Sequence, residues 1–225
     1  AQRAAAWSEV ARRIAHEIKN PLTPIRLAAE RISRKYGAQI SDQAFNDSIQ
    51  MIISQVDDMR NLVNEFSQFA RMPQLKPIET SLNQVLSDAA SIYKDNHTDV
   101  AFTFLLDEKL PNFKFDPAQM KRVFANLVDN AVAATEKIDQ PKVWIETAYH
   151  PELQVVKISI SDNGVGIPQR DRARVFEPYY STKEKGTGLG LPIVKSIIED
   201  HGGLIRALPN LPNGTKMSIE MPVHI

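Results

Sequence analysis

Between residues 45 and 70, apolar residues recur in alternating steps of four and three: Phe45, Ile49, Ile52, Val56, Met59, Val63, Phe66 and Ala70. A repeat held this long specifies an α-helix with one seam to cover. Residues 4–36 carry a similar pattern, with Val10, Ile14, Ile18, Leu22, Ile25, Ala29 and Ile32 three or four apart. The polar stretch 37–42 ends the first helix, so the two should form an antiparallel hairpin. A single hairpin cannot cover its own stripe, and two chains pairing into a four-helix bundle is the expected solution. The competing arrangement packs the hairpin on the rest of its own chain.

Pro73 and Pro77 interrupt the second helix, and residues 73–78 read as a linker. Beyond it the pattern is mixed. Residues 82–93 look helical, and 100–106 look like a strand. Asp116, Pro117 and Gln119 give an N-cap, a first-turn proline and a capping-box partner for a helix running to about Lys137. Residues 142–149 and 153–161 alternate as strands around a His150-Pro151 turn. Residues 191–200 form a further helix closed by Gly202 and Gly203. Two strands, 205–208 and 216–221, end the chain.

Lys+Arg and Asp+Glu are both 27 in 225 residues, which points neither to nucleic acid nor to a solvated tail. Without cysteine, no disulfide or thiolate metal site can form. No apolar run reaches the ~20 residues of a membrane helix, so no membrane contact is expected of this stretch. The helical pattern starts almost at Ala1, as in a cytoplasmic piece of a longer protein, expected to be anchored in the inner membrane.

Four clusters carry chemistry. Asp162-Asn163-Gly164-Val165-Gly166 follows a strand; the glycines permit close backbone approach, and the Asp can accept from an exocyclic amine such as that of adenine. Gly186-Thr187-Gly188-Leu189-Gly190 enters a helix whose N-terminal N–H groups suit phosphate. Asn126 and Asn130 share one helix face, and amide oxygens are hard donors fit for Mg²⁺. His16 lies off the apolar stripe, where a neutral imidazole can act as nucleophile while Glu17 holds its tautomer and takes its proton. Each pattern alone also has an ordinary reading: an Asn-Gly turn, a flexible loop, surface asparagines, a passive histidine. Pro21 and Pro24 should bend the helix that carries His16.

Together, and in this order, these blocks resemble the sensor histidine kinases of two-component systems over nearly the whole chain. His16-Glu17-Ile18-Lys19-Asn20-Pro21 looks like the H-box, and Asn126-Leu127-Val128-Asp129-Asn130 like the N-box. Asp162 to Ile167 looks like the G1 box, Phe176 to Lys183 the F-box, Gly186 to Leu191 the G2 box and Gly214-Thr215 the terminal G-T element. The segment after the H-box, Leu22 to Arg31, further resembles NtrY-type nitrogen-regulation kinases.

The resemblance implies an α+β chain. Residues 1–72 would be the dimerisation and histidine phosphotransfer domain, and 79–225 an α/β-sandwich ATP-binding domain of the GHKL (Bergerat) class. The stretch 168–187 would be the ATP lid. Asp162 would read the adenine, and Asn130 helped by Asn126 would hold Mg²⁺ on the phosphates. The backbone of Gly186, Thr187, Gly188, Leu189 and Gly190 would cradle the triphosphate, and Gly164, Gly166, Lys183 and Thr215 would also line the nucleotide. ATP would phosphorylate His16, and the phosphoryl group would pass to an aspartate of a response regulator. Asn20 would orient water for the reverse, phosphatase reaction. Relatives often have Lys or Arg after the N-box; Ala133 and Ala134 stand here, leaving Lys183 or Lys185 to supply the charge. Two rivals keep the N and G boxes: a dimeric ATP-binding adaptor without kinase activity, and a serine kinase of the anti-sigma type. Neither needs a histidine followed by an acid on a heptad helix.

Overall fold

The computed structural model describes residues 2–40, 42–71, 75–181 and 188–223; in the first two helices it describes the side chains of 14, 15, 17–40, 42–64 and 67. The chain forms two compact units, residues 1–73 and 74–225.

The first unit is a helical hairpin of α1 (Gln2–Tyr36) and α2 (Gln43–Arg71). Gly37 ends α1: its N–H donates to Ser33 O at 2.8 Å, and a Cβ there would press on that same carbonyl. The seam is narrower than the apolar stripes. Residues seven apart face inward: Ala15, Leu22 and Ala29 on α1, and Ile49, Val56 and Val63 on α2. Ile14, Ile18, Ile25, Ile32, Ile52 and Met59, also in the stripes, stay exposed within one chain. Arg26 Nε meets Asp57 Oδ1 at 3.1 Å across the helices, a contact of charge and not an aligned hydrogen bond. The α1 helix continues through Pro21 and Pro24.

The second unit has helices on one face of a five-stranded sheet. Strands β1 (Ile78–Thr80) and β3 (Phe113–Phe115) form a small antiparallel pair. The large sheet comprises β2 (Ala101–Leu105), β4 (Lys142–His150), β5 (Val155–Asp162), β6 (Leu204–Pro209) and β7 (Thr215–Pro222), in the order β2-β4-β5-β7-β6. Only β2–β4 is parallel, the crossover passing through α4 (Pro117–Ala134). β4 and β5 form the hairpin that the sequence implied. Helix α4 packs between α3 (Leu82–Asn96) and α5 (Gly190–Asp200). Leu82, Leu86, Met120, Phe124, Leu127 and Ile198 of the helices and Ile145, Ile158 and Ile160 of the sheet are all buried. The opposite sheet face is polar, with Lys216–Glu146 at 3.5 Å and Lys157–Glu220 at 3.7 Å.

Three local expectations change. Helix α4 ends at Ala134 rather than near Lys137, because Thr135 turns back onto Val132 O through its N–H (2.9 Å) and Oγ1 (2.8 Å). β1 and β3 are added to the expected strands. The capping box is half made: Asp116 Oδ1 accepts from Ala118 N and Gln119 N, but the Asp116 N–H donates to His201 Nε2 at 3.1 Å.

Candidate nucleotide-binding site

The site lies along α4, between the end of β5 and the start of α5. Asp162, the last residue of β5, is buried, and its Oδ1 accepts from Gly164 N at 2.8 Å and Thr215 N at 3.2 Å. No described residue donates to its Oδ2. Burial raises its pKa, and the two N–H donors offset that in part. The glycines around it are fixed by contact. A Cβ on Gly214 (φ +118°) would overlap Asp162 O, and one on Gly164 would overlap Ala134 O. Val165 N also donates to Ala134 O at 3.2 Å. The G1 turn is thus clamped to the C-terminal end of α4, and Ala134 is part of the clamp.

Asn163 faces elsewhere. Its Oδ1 accepts from Lys142 N at 2.8 Å and its Nδ2 donates to Gln140 O at 3.0 Å, tying the turn before β4. Asn210 Nδ2 braces Asp162 O at 2.8 Å.

Two turns earlier on α4, Asn126 Nδ2 donates to Arg122 O at 2.9 Å. That bond directs Asn126 Oδ1 outward, to 3.0 Å from where a Gly190 Cβ would lie. Asn130, half-buried, lies between these two points of α4. Gly188 (φ +68°) accepts from Tyr179 N at 3.0 Å, and a Cβ on it would strike the Tyr179 backbone. Leu189 is fully buried, backbone included. Tyr180 hydrogen-bonds to Asp171, which raises the phenol pKa, and Arg174 stacks over its ring at 4.5 Å. This aromatic–acid–guanidinium cluster was missed in the sequence because its members are nine residues apart without periodicity.

Among the described residues no three His, Cys, Asp or Glu side chains converge on a metal position. The oriented Asn126 oxygen beside a helix N-terminus suits a hard cation that takes most of its shell from phosphate and water. Glu17 and Asn20 are exposed on α1. Lys183, Lys185, Gly186 and Thr187 lie outside the described residues, as do the side chains of His16 and of Phe66 and Ala70 in the α2 stripe.

Residues 6–75 match the His Kinase A (phospho-acceptor) domain, and residues 115–225 the histidine kinase-, DNA gyrase B- and HSP90-like ATPase family. The catalytic domain of histidine kinase ThkA is 31% identical, with a TM-score of 0.60, over 66% of this chain and 97% of that one. The chain belongs to the sensor histidine kinases. This kinase chain is 42% identical to nitrogen regulation protein NtrY of Azorhizobium caulinodans over 95% of its own length and 28% of that protein's. It is also similar, with a TM-score of 0.70 and 26% identity, to ThkA in complex with response regulator TrrA, covering 99% of this chain and 63% of that chain.

Proposed function

We propose that the chain binds ATP with Mg²⁺ and transfers the γ-phosphoryl group to His16, then to an aspartate of a response regulator. The observation that carries this is the line of groups along α4: a buried carboxylate at one end, an oriented amide and a helix N-terminus at the other. Gly164 at Ala134 and Gly190 at Asn126 stand roughly eight helical residues apart, about 12 Å, a span suited to an extended nucleoside triphosphate.

In this reading Asp162 Oδ2 accepts the adenine amine, with Thr215 and the G1 glycines shaping the floor. The backbone from Gly186 to Gly190 cradles the phosphates. Asn130, helped by Asn126, would hold Mg²⁺, which neutralises phosphate charge. The residues position and the histidine reacts: His16 Nε2 or Nδ1 attacks phosphorus in line while ADP leaves, and Glu17 holds the other ring nitrogen. Lys183 or Lys185 would add positive charge where Ala133 and Ala134 give none.

Residues 1–72 would form the phosphotransfer and dimerisation domain, joined by 73–78 to the ATP domain at 79–225. The exposed Ile14, Ile18, Ile25, Ile32, Ile52 and Met59 are the surface a second copy would cover in a homodimer. The NtrY relative, of which this chain spans 28%, supports a nitrogen-regulation role within a longer protein, and anchoring of that protein in the inner membrane is part of the proposal. The ThkA–TrrA complex supports a receiver domain as partner.

The test is transfer. Chain labelled from ATP is mixed with a receiver domain, and the label should move to its aspartate. Asn20→Ala should leave labelling and transfer intact yet slow loss of the label from the receiver, since the exposed Asn20 amide orients the hydrolytic water. A chain that takes no label from ATP contradicts the kinase reading, and a label that never leaves the chain contradicts the transfer step; equal impairment of transfer and hydrolysis in Asn20→Ala contradicts the phosphatase role.

A further inference from the structure

His201 follows α5, and both its ring nitrogens are engaged. Nδ1 lies 2.7 Å from Ile197 O, a carbonyl that can only accept, so Nδ1 carries the proton. Nε2 is then bare, and it accepts from the Asp116 N–H at 3.1 Å. The ring therefore spans from the last turn of α5 to the N-cap of α4. Asp116 is itself fixed on three more sides, its carboxylate accepting from Ala118 N, Gln119 N and, at 2.9 Å, Lys76 N. Burial works against that carboxylate's charge, but these three N–H donors outweigh it and lower its pKa.

The same two helices meet again at their other contact, where Gly190 opens α5 against Asn126 Oδ1 of α4. Asp116 to Asn126 is ten residues, and α5 has 11. At about 1.5 Å per residue the two spans are about 15 and 16 Å. Two antiparallel rods of matched length, pinned at one end, are held in register at the other. A slide or pivot released at His201 would appear at Gly190 and Asn126.

We infer that His201 is a positioning residue for the nucleotide site: its imidazole ties the end of α5 to the start of α4 and so sets the Gly190 helix N-terminus against Asn126. This rests on the nucleotide-site reading above. It also explains why Gln119 does not complete the capping box, since the N–H it would serve belongs to His201.

Two substitutions separate positioning from bulk stability. His201→Phe keeps ring volume and loses both hydrogen bonds; His201→Gln keeps an acceptor within reach of the Asp116 N–H. Affinity for ATP·Mg²⁺ is measured by titration. In the nucleotide-free chain, the NMR signals of the Asn126 side-chain amide and the Gly190 N–H are compared with wild type. His201→Phe should weaken ATP binding about tenfold, the factor carried by roughly one lost hydrogen bond, and shift both distant signals. His201→Gln should stay within about threefold and leave them in place. A merely structural role would lower the fraction of chain that binds without moving the affinity of the rest. Wild-type affinity and unshifted signals in His201→Phe overturn the inference, as does equal impairment by Phe and Gln. If wild-type chain binds no ATP, the nucleotide reading falls, and the Asn126 and Gly190 signals decide the tie by themselves.

Discussion

Asp162 opposes folding when charged, and in the proposed function it serves binding. Burial holds its pKa above the ordinary carboxylate value. An acid with a raised folded-state pKa costs nothing while protonated below its unfolded pKa, and opposes folding as pH rises through the folded value. Asparagine at this position would still accept from Gly164 N and Thr215 N but carry no charge. Asp162→Asn should therefore raise Tm at pH 7.5, with the gain shrinking toward pH 4, while weakening ATP binding tenfold or more for want of an acceptor for the adenine amine. Thermal melts at both pH values and a nucleotide titration check this; a lower Tm at pH 7.5 would contradict it. The aspartate and its glycines were legible in the sequence because a strand ending in Asp-x-Gly-x-Gly restricts what the backbone can do. The brace from Asn210 was not, since it comes from 48 residues away in sequence and no periodicity marks it.

Among elements, the α2 stripe divides into two roles that spacing alone did not separate. Val56 is buried inside the hairpin, whereas Ile52, also in the stripe, is 42% exposed. The 4-3 repeat marks both, because it records apolar positions and not which helix covers each. Ile52→Asp should yield a monomer by light scattering with helicity retained. Val56→Asp should melt the hairpin itself, as an unpaired charge in that seam costs several kcal/mol. A wild-type chain that is monomeric at micromolar concentration would refute the bundle. The long elements were readable from period and caps; Asp116 Oδ1, for example, accepts from Ala118 N and Gln119 N to start α4. β1 and β3 were not, being three residues each, too short to show alternation and held by their pairing (Ile78 with Phe115) and by the burial of Phe113 and Phe115. The His201 tie was invisible for a related reason: Asp116 and His201 are 85 residues apart, and a capping-box sequence offered a nearer partner.

At the scale of the whole molecule, the proposed phosphoryl acceptor and the proposed nucleotide site fall in different units. His16 belongs to the unit of residues 1–73, and every residue assigned to nucleotide belongs to 74–225. This division was foreseeable from the prolines at 73 and 77, where a heptad pattern gives way to mixed α/β. It makes the central claim separable into two readings of one protein. The decisive measurement compares His16→Ala with wild type, scoring ATP affinity and covalent label from ATP·Mg²⁺ side by side. Wild type should carry an acid-labile, base-stable label, and His16→Ala should carry none while binding ATP with unchanged affinity. A label of similar stoichiometry on His16→Ala, or an acid-stable one on wild type, would contradict the account.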